Sequence, residues 1–427
     1  MSPAPEIPPS TKRPFLSLRQ TQTAWWVVLF FFLCGVLSAA QLVIWLAALA
    51  SLALILWSRG EWVRLPGMRV YWGMLACLLL PGLISLVDAI NPDRALSTIG
   101  RLCAYGLAGC LFMRLAPSAR QWPTTVLWLS GVLVLWSLDG IVQEWRGLSL
   151  SGYRVFTGLP EGHKVTGSMG LDYGPTLAVL SPFLFEALRL HGRKLPWLWL
   201  ALPLLAVAVA LSASRYSALL LLVSAMLCGL VSISHQSLNG YRNALLLALG
   251  CLIGLLIPIF VIPHLADRLA IVWHGLSASQ EDLNVALAFR PELWKASWLV
   301  FTDHWLNGVG IRGSAQAIQP ILAMSPGFPD SMLRQPWHPH LGVLEVAADT
   351  GLIGVIAYLM LLAMMLRLMF RASAKGICGV PVFAAVAILA LFPFSSTLSM
   401  YSFSTGSLAW PALAMAAGGY FSSTATT

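Results

Sequence analysis

Charged residues are scarce in this sequence. Only 10% of its 427 residues are Asp, Glu, Lys or Arg, whereas 58% are hydrophobic, and the mean hydropathy is +0.77. Soluble domains carry about 25% charged residues, so the composition excludes a purely soluble protein. The net charge is +9, but the cations are scattered over short segments between apolar runs. They form no nucleic-acid-binding patch, and no nucleic-acid partner is expected.

Several recognition patterns are also missing. None of the seven cysteines lies in a predicted outer loop, which argues against a disulfide framework, and no Cys-x-x-Cys metal pattern occurs. There is no glycine-rich phosphate loop followed by Lys and Ser or Thr, no internal repeat and no low-complexity stretch. The first absence argues against an ATP-driven machine.

Long apolar runs fill most of the chain. A bilayer core requires about 20 apolar residues per helix, and continuous runs without alternation predict helices. We therefore predict an all-α integral membrane protein with about twelve transmembrane helices. The predicted spans are 24–40, 41–57, 70–87, 98–113, 124–142, 174–188, 196–213, 216–233, 244–262, 352–366, 380–397 and 405–421. Residues 341–351 either extend the tenth span or form a separate short helix.

The distribution of Lys and Arg predicts the orientation. Most of these residues fall on the side of the N-terminus, and the short connections on the other side hold only Arg94, Arg101 and Arg215. By the positive-inside rule, both termini are cytoplasmic. The predicted organisation is a disordered cytoplasmic tail (1–20), a bundle of about nine spans (21–263) with a periplasmic loop (143–173), a large periplasmic loop (264–340), a bundle of about three spans (341–421) and a cytoplasmic tail (422–427).

The segment 264–340 is too long for a simple connection between helices, so we expect it to carry the active site. Arg215 lies in a tight turn just before the span 216–233. An arginine near membrane depth indicates a function or a pairing need. The ordinary alternative is a side chain that extends to the lipid headgroups.

Arg290 precedes Pro291, a residue favoured in the first turn of a helix. The apolar residues that follow predict an amphipathic helix to about Asp303. Free N–H groups at a helix N-terminus attract anions, and a guanidinium matches two phosphate oxygens. Arg290 is therefore a candidate for a phosphate or diphosphate site; the alternative is an ordinary loop cation or a partner of Glu281 or Asp282.

His338 and His340 flank a proline just before a predicted helix. A helix N-terminus disfavours a cationic histidine, so either side chain would stay neutral and accept a proton. A metal site would need further ligands such as His304, Glu345 and Asp349, but no recognised ligand spacing is present. We therefore predict no metal. Two structural loop histidines remain the ordinary alternative.

These residues resemble the bacterial O-antigen ligases, within the superfamily of O-antigen ligases, O-antigen polymerases and protein O-oligosaccharyltransferases. Arg215 with Leu219 matches the Arg-x3-Leu element of that family, and a large outer loop lies between the ninth and tenth predicted spans. His340 is followed eleven residues later by Gly351-Leu352-Ile353-Gly354, as in the family pattern. Leu341 stands where the family has Asn, Ser or Gln, so the pattern leaves His338 and His340 both open as the functional histidine.

The resemblance implies a C-type glycosyltransferase-like fold and a reaction. O-antigen polysaccharide passes from undecaprenyl diphosphate to a sugar hydroxyl of lipid A–core oligosaccharide at the periplasmic face of the inner membrane, without cofactor or metal and with inversion. Both substrates are anchored in membrane lipids, so the site is expected to open sideways to the bilayer. The expected catalytic residues are Arg215 and Arg290 at the donor diphosphate and His338 or His340 as general base. Weaker candidates for binding core phosphates are Arg154, Lys164, Arg268, Arg312 and Arg334.

Other functions stay open at this point. An O-antigen polymerase shares the topology and the donor, but often has paired arginine-rich outer loops, and 143–173 holds only Arg146, Arg154 and Lys164. A protein O-oligosaccharyltransferase uses the same donor on a protein acceptor. A secondary transporter would place ionisable residues at mid-membrane in symmetric halves, a pattern that we do not find here.

Overall fold

The computed structural model describes residues 20–58, 66–159, 162–233, 238–263, 286–325 and 337–424, with shorter pieces at 265–267, 328–330 and 333–334 and the single residues 270, 273 and 284. The predicted tail at 1–20, except for its last residue, and Arg268 lie outside these ranges. The helices are α1 Gln20–Leu33, α2 Leu37–Trp57, α3 Pro66–Ile84, α4 Pro92–Arg114, α5 Trp122–Arg146, α6 Tyr173–His191, α7 Ala201–Leu211, α8 Arg215–Ile233, α9 Leu238–Val261, α10 Arg290–Asp303, α11 Ser314–Ala317, α12 Gln319–Ala323, α13 Gly342–Ala374, α14 Val380–Ala390 and α15 Phe403–Thr424.

Short 3-10 turns at Ser85–Asp88, Gly170–Asp172 and Pro196–Leu200 precede or follow these helices. The loop between α5 and α6 contains two strands, β1 (Phe156–Leu159) and β2 (Gly162–Lys164). They pair antiparallel, with Phe156 opposite Lys164.

The chain is an all-α membrane protein. Among the described residues, seven helices are long and apolar enough to cross a membrane, and α1, α7 with its preceding 3-10 turn and α14 contribute shorter apolar stretches. A helix is present at each of the twelve predicted spans, but a count of twelve spans stays a prediction.

The most buried elements are α14 and the middle of α15. Ala384–Ala387 and Ala412–Ala417 have almost no exposed surface, because small side chains let neighbouring helices approach closely. Large aromatic side chains such as Phe31, Phe183 and Phe383 pack against one another beside them. Conversely, large apolar side chains such as Leu56 and Phe260 are exposed on the outside of the bundle, as expected where lipid replaces water.

Two helix ends differ from the sequence prediction in ways that affect function. Helix α4 begins at Pro92, six residues early, because the Asn91 side chain caps it by accepting from the Arg94 N–H at 3.0 Å. Helix α14 ends at Ala390, although the apolar run predicted a span to residue 397. Pro393 cannot donate a backbone hydrogen bond, and residues 391–402 form an ordered loop instead.

Helix α13 is broken rather than continuous. Gly351 has φ 64° and ψ −164°, a backbone conformation open essentially to glycine alone. The chain therefore forms a short half-helix, residues 342–350, followed by a long helix, residues 352–374. This settles the alternatives for residues 341–351 in favour of a separate short helix that joins the tenth span across a kink.

Helices α4, α6, α8, α13 and α15 all begin on one face of the bundle, which we call the loop face. Hydrogen bonds between distant connections hold this face together. They join Ile90 to Val309, Val165 to Leu211, Asp172 to Ser404 and Val343 to Pro393.

Candidate active site

Two arginines begin helices on the loop face. Arg215 starts α8 directly after the turn that ends α7, and it is exposed. Arg290 starts α10, with Pro291 in the first turn, and is half-buried. Burial and the positive charge of Arg215 both lower the pKa of Arg290. The two guanidinium groups are therefore within electrostatic reach of each other, and an anion that lies close to both would offset their repulsion.

His338 and His340 lie together, within reach of the positive charge of Arg290. Their rings are 3.9 Å apart between centroids, and the His340 N–H donates to Nδ1 of His338 at 3.2 Å. Because Nδ1 of His338 accepts this bond, a neutral His338 carries its proton on Nε2. The backbone of Thr397 also lies near the ring and raises the pKa of His338 slightly. Nδ1 of His338 is thus occupied by the His340 N–H.

His340 has a different hydrogen-bond pattern. Its Nδ1 lies against the backbone carbonyl of Ser396. A carbonyl oxygen only accepts, so Nδ1 carries the proton and a neutral His340 has a bare Nε2. The residue also adopts φ 53°, a conformation that is uncommon for residues other than glycine. The geometry leaves Nε2 of His340 as a proton acceptor.

Both histidines are neutral over the physiological pH range. Burial, followed by the positive charges of Arg312 and Arg290, lowers the pKa of His338 to about 4. Burial, followed by the neighbouring His338, lowers the pKa of His340 to about 3. From the sequence, the neutral state of the two histidines was attributed to the helix N-terminus. In the structure, burial has the largest effect on the pKa of both histidines.

Two carboxylates of the half-helix 342–350 hold the surrounding loops. Glu345 accepts from the Ser399 hydroxyl and from the Met400 N–H, at 2.9 Å for the latter, in the loop that also contacts His340. Asp349, one turn later, accepts from the N–H groups of Arg312 at 2.7 Å and Ser314 at 2.9 Å. Both carboxylates are buried, so each stabilises one loop through several donors.

The residues considered for a metal site do not come together. His304 is exposed beyond the end of α10, whereas Glu345 and Asp349 are buried and already bind backbone and hydroxyl donors. Within the described residues, no group of three or more His, Cys, Asp or Glu side chains is arranged to hold a metal ion.

The Gly351–Gly354 element allows another segment to cross the half-helix. A Cβ atom at Gly351 would lie 2.3 Å from the backbone of Leu306, so only glycine fits. At the break, the N–H groups of Leu352 and Ile353 donate to the carbonyls of Trp305 and Leu306, at 2.8 and 3.2 Å. The crossing segment thereby replaces the helical hydrogen bonds lost at the kink.

The matching glycine on the crossing segment is Gly308. It has φ 70°, and a Cβ atom there would lie 2.4 Å from the backbone of Asp349. The two backbones therefore touch at Gly308 and Gly351. This contact places the 308–316 loop, which includes Arg312, against the half-helix 342–350 that follows the histidines.

Residues 200–359 match the family model described as O-antigen ligase. This part of the chain is therefore similar to that family. The matched stretch runs from the turn before α7 to the first part of α13, so it contains Arg215, Arg290, the histidine pair and Gly351. No curated protein matches the chain significantly.

The weaker binding candidates from the sequence separate into two groups. Arg312 lies close enough to His338 to lower its pKa. Arg154 and Arg334 are exposed. In the structure, neither side chain forms a hydrogen bond or an ion pair with Arg215, Arg290, His338 or His340. Lys164 belongs to β2, in the hairpin of the other loop. Of these four, Arg312 is the one that the fold brings close to the histidine pair.

Sequence reasoning missed two parts of this site. Arg94 and Arg101 were assigned to short connections, whereas both lie in the first three turns of α4 on the loop face. Ser396 and Thr397 were assigned to a span, whereas the Ser396 carbonyl binds His340 and the backbone of Thr397 lies near His338. A signal was available for the second case, because Pro393 is followed by a cluster of hydroxyl residues, which is typical of a loop.

An apolar cavity of about 430 Å³ lies beside the site, between α10 and α13. Its lining residues are all apolar and include Trp294, Trp298, Leu341 and Leu344. Trp294 lies one turn after Arg290, and Leu341 follows His340 directly. The cavity therefore starts where the charged groups end, and Leu341 belongs to its wall.

Proposed function

We propose that this protein transfers O-antigen polysaccharide from undecaprenyl diphosphate to a sugar hydroxyl of lipid A–core oligosaccharide, at the periplasmic face of the inner membrane. Members of the matching family are glycosyltransferase-like enzymes of the O-antigen ligase and polymerase type. The observation that carries the specific proposal is a neutral His340, with a bare Nε2, beside the arginine pair Arg215 and Arg290.

The arginine pair supports binding of a diphosphate donor. Two nearby guanidinium groups repel each other, and a diphosphate between them removes this repulsion. Arg290 also begins α10, so the N–H groups of the first turn point toward the same anion. When the bond between sugar and diphosphate breaks, negative charge grows on the leaving oxygen, and preorganised positive groups stabilise it.

His340 supports the acceptor half of the reaction. The acceptor hydroxyl oxygen attacks the anomeric carbon, the bond from that carbon to the diphosphate oxygen breaks, and the hydroxyl proton moves to Nε2 of His340. The leaving group is the lipid diphosphate. A single displacement of this kind inverts the anomeric centre.

Donor binding also adjusts the basicity of His340. In the free protein its pKa is about 3, which keeps it unprotonated but makes it a weak base. Arg290 contributes to this lowering through its positive charge. A bound diphosphate offsets that charge and adds negative charge of its own, so it raises the pKa of His340 toward the range useful for catalysis.

The apolar cavity accounts for the lipid part of the donor. Its wall of Trp294, Trp298 and Leu341 offers no hydrogen-bond partner to a polar chain, but it suits a polyprenyl hydrocarbon. Because it begins next to Arg290 and His340, the diphosphate and the chain attached to it would occupy adjoining regions.

The test is complementation of a ligase-deficient strain that makes a matched donor and core. The parent chain is expected to restore long ladders on lipid A–core. Arg215→Gln and Arg290→Gln are expected to restore none at equal membrane expression. Arg146→Gln, an exposed arginine at the end of α5, is the matched control and should restore ladders fully.

Two results would contradict the ligase proposal. If the parent chain restores no ladder but lengthens the donor polysaccharide in a polymerase-deficient strain, the activity is polymerisation. If ladders are equally strong with Arg215→Gln and Arg290→Gln, the arginine pair does not bind the donor.

A further inference from the structure

A second group of arginines lies near the histidine pair. Arg94 is in the first turn of α4, and Arg101 is two turns later, so both occupy the same side of the helix. Arg312 belongs to the loop 308–316 that crosses α13. All three side chains are half-buried.

Specific contacts bring the loop 308–316 onto the start of α4. The Ile90 N–H donates to the carbonyl of Val309 at 3.0 Å, and the Asn91 side chain donates to Gln316 at 3.2 Å. Gly310 touches the same segment, since a Cβ atom there would lie 2.7 Å from the Cβ of Ala89. This docking fixes Arg312 beside the first turns of α4.

The backbone of Arg312 is held in an unusual conformation. Its φ is 62°, in the left-handed region that residues other than glycine seldom adopt. The buried Asp349 stabilises this conformation by accepting from the Arg312 N–H at 2.7 Å. The carboxylate thus binds the backbone of Arg312 and leaves the guanidinium group available.

The three guanidinium groups carry positive charge that the neighbouring carboxylates do not pair with. Arg312 is within electrostatic reach of both Arg94 and Arg101. In the part of the chain that the structure describes, none of the three forms an ion pair. The nearby carboxylates Glu345 and Asp349 influence Arg94 at longer range, but their oxygens already accept hydrogen bonds from other groups.

We propose that Arg94, Arg101 and Arg312 form a second anion site, separate from the Arg215–Arg290 pair, which binds a phosphoryl group of the acceptor saccharide. This inference rests on the proposed function. His338 is close enough to Arg312 and Arg290 for the charge of each to lower its pKa, so both cationic groups lie near the histidine pair. In a direct displacement, the acceptor hydroxyl and the leaving diphosphate lie on opposite sides of the anomeric carbon. Because the Arg215–Arg290 pair is assigned to the diphosphate, the second anion site belongs to the acceptor.

Guanidinium groups suit a phosphoryl ligand because their planar fork matches two of its oxygens. The same chemistry occurs in the donor diphosphate, so the experiment must separate the two sources. The purified full-length protein in lipid nanodiscs is given lipid diphosphate-linked saccharide and acceptor glycolipid, and the acceptor is used either phosphorylated or after phosphatase treatment. Transfer rates give KM and kcat for each substrate.

For Arg94→Gln, Arg101→Gln and Arg312→Gln, the KM for the phosphorylated acceptor is expected to rise roughly tenfold, the loss of one charge-assisted contact. The donor KM and the kcat should each change by less than about twofold. With the phosphatase-treated acceptor, parent and variants should be equal. Arg146→Gln serves as the matched control, and monodispersity in detergent confirms that each variant is folded.

Two kinetic outcomes would overturn the proposal. A rise in the donor KM would assign the three arginines to the donor site. Equal effects on both acceptors would give them a structural role only. If the parent transfers to neither acceptor, the ligase function fails, and direct binding of the two glycolipids to the nanodiscs still tests the anion site. In that binding measurement, loss of the preference for the phosphorylated glycolipid in Arg312→Gln would support the anion site. If the parent protein binds the two glycolipids equally, the anion site is refuted.

Discussion

Asparagine substitutions at the two histidines distinguish their roles. In His340→Asn, the side-chain amide nitrogen takes the place of Nδ1 and still donates to the Ser396 carbonyl, but no atom replaces Nε2. Asparagine also tolerates positive φ better than most residues, and His340 has φ 53°. The change therefore removes the proposed base with little disturbance of the loop. Alanine would remove the base, the loop contact and the tolerance of positive φ together.

The expected magnitudes follow from what each substitution removes. General base catalysis contributes roughly 10²–10⁴ in rate, or about 3–5 kcal/mol, so kcat of His340→Asn should fall by that factor. In His338→Asn, the amide oxygen replaces Nδ1 as the acceptor for the His340 N–H, and at most the one hydrogen bond that Nε2 can donate is lost. One such hydrogen bond is worth about 0.5–1.5 kcal/mol, so kcat should fall only about two- to twelvefold.

The assay is single-turnover transfer with purified protein and saturating donor, and it is combined with a separate measurement of donor affinity. Donor affinity should be unchanged in His340→Asn, because Arg215 and Arg290 are intact. The reasoning is refuted if His338→Asn loses more activity than His340→Asn. It is also refuted if His340→Asn keeps more than about a tenth of the parent rate, since that exceeds what a lost general base permits.

Three further predictions follow from the same contacts. First, a pH–rate profile of kcat/KM should show no acid limb near pH 6.5, because the pKa of His340 is lowered to about 3; an acid limb there would contradict a buried, neutral His340. Second, Gly351→Ala should abolish folded protein in a fluorescence size-exclusion assay, since its Cβ would lie 2.3 Å from backbone atoms. The control is Gly376→Ala, because Gly376 has a similar φ but open space around it, and this variant should lose only about 1–2 kcal/mol of stability. Equal behaviour of the two variants would contradict the backbone crossing at Gly351. Third, Asp349→Asn leaves one of two buried N–H donors without its acceptor, which should cost about 1–3 kcal/mol and lower the melting temperature; an unchanged melting temperature would show that the loop is held elsewhere.

Local patterns in the sequence predicted the elements that depend on local physics. Pro291 and the apolar residues after it predicted a helix starting near Arg290, and α10 spans Arg290–Asp303. The tight turn before Arg215 was also found where the sequence places it, whereas the sequence left open whether residues 341–351 form a separate helix. Each of these follows from proline, glycine or hydrophobic periodicity over a few residues. The roles assigned to Arg215, Arg290 and the histidines stay predictions.

Long-range contacts could not be predicted in this way. Arg94 and Arg101 resemble ordinary boundary cations in the sequence, and their significance arises only because Val309 and Gln316, more than 200 residues later, dock beside them. The loop after α14 was hidden for a different reason. Leu391 and Phe392 continue an apolar run, so hydropathy extended the span past the point where Pro393 ends it.

The half-helix 342–350 explains why a fixed spacing separates the histidine from the glycine of the family pattern. Nine residues span about 13.5 Å, or two and a half turns, and they place Glu345 and Asp349 four residues apart on one side. Glu345 then holds the loop that contacts His340, and Asp349 holds the loop that carries Arg312. A shorter half-helix would remove one of these carboxylates, and a longer one would move Gly351 away from the crossing backbone. Leu341 is free to be apolar here because its side chain faces the cavity between α10 and α13, whereas the proton-accepting nitrogen belongs to His340.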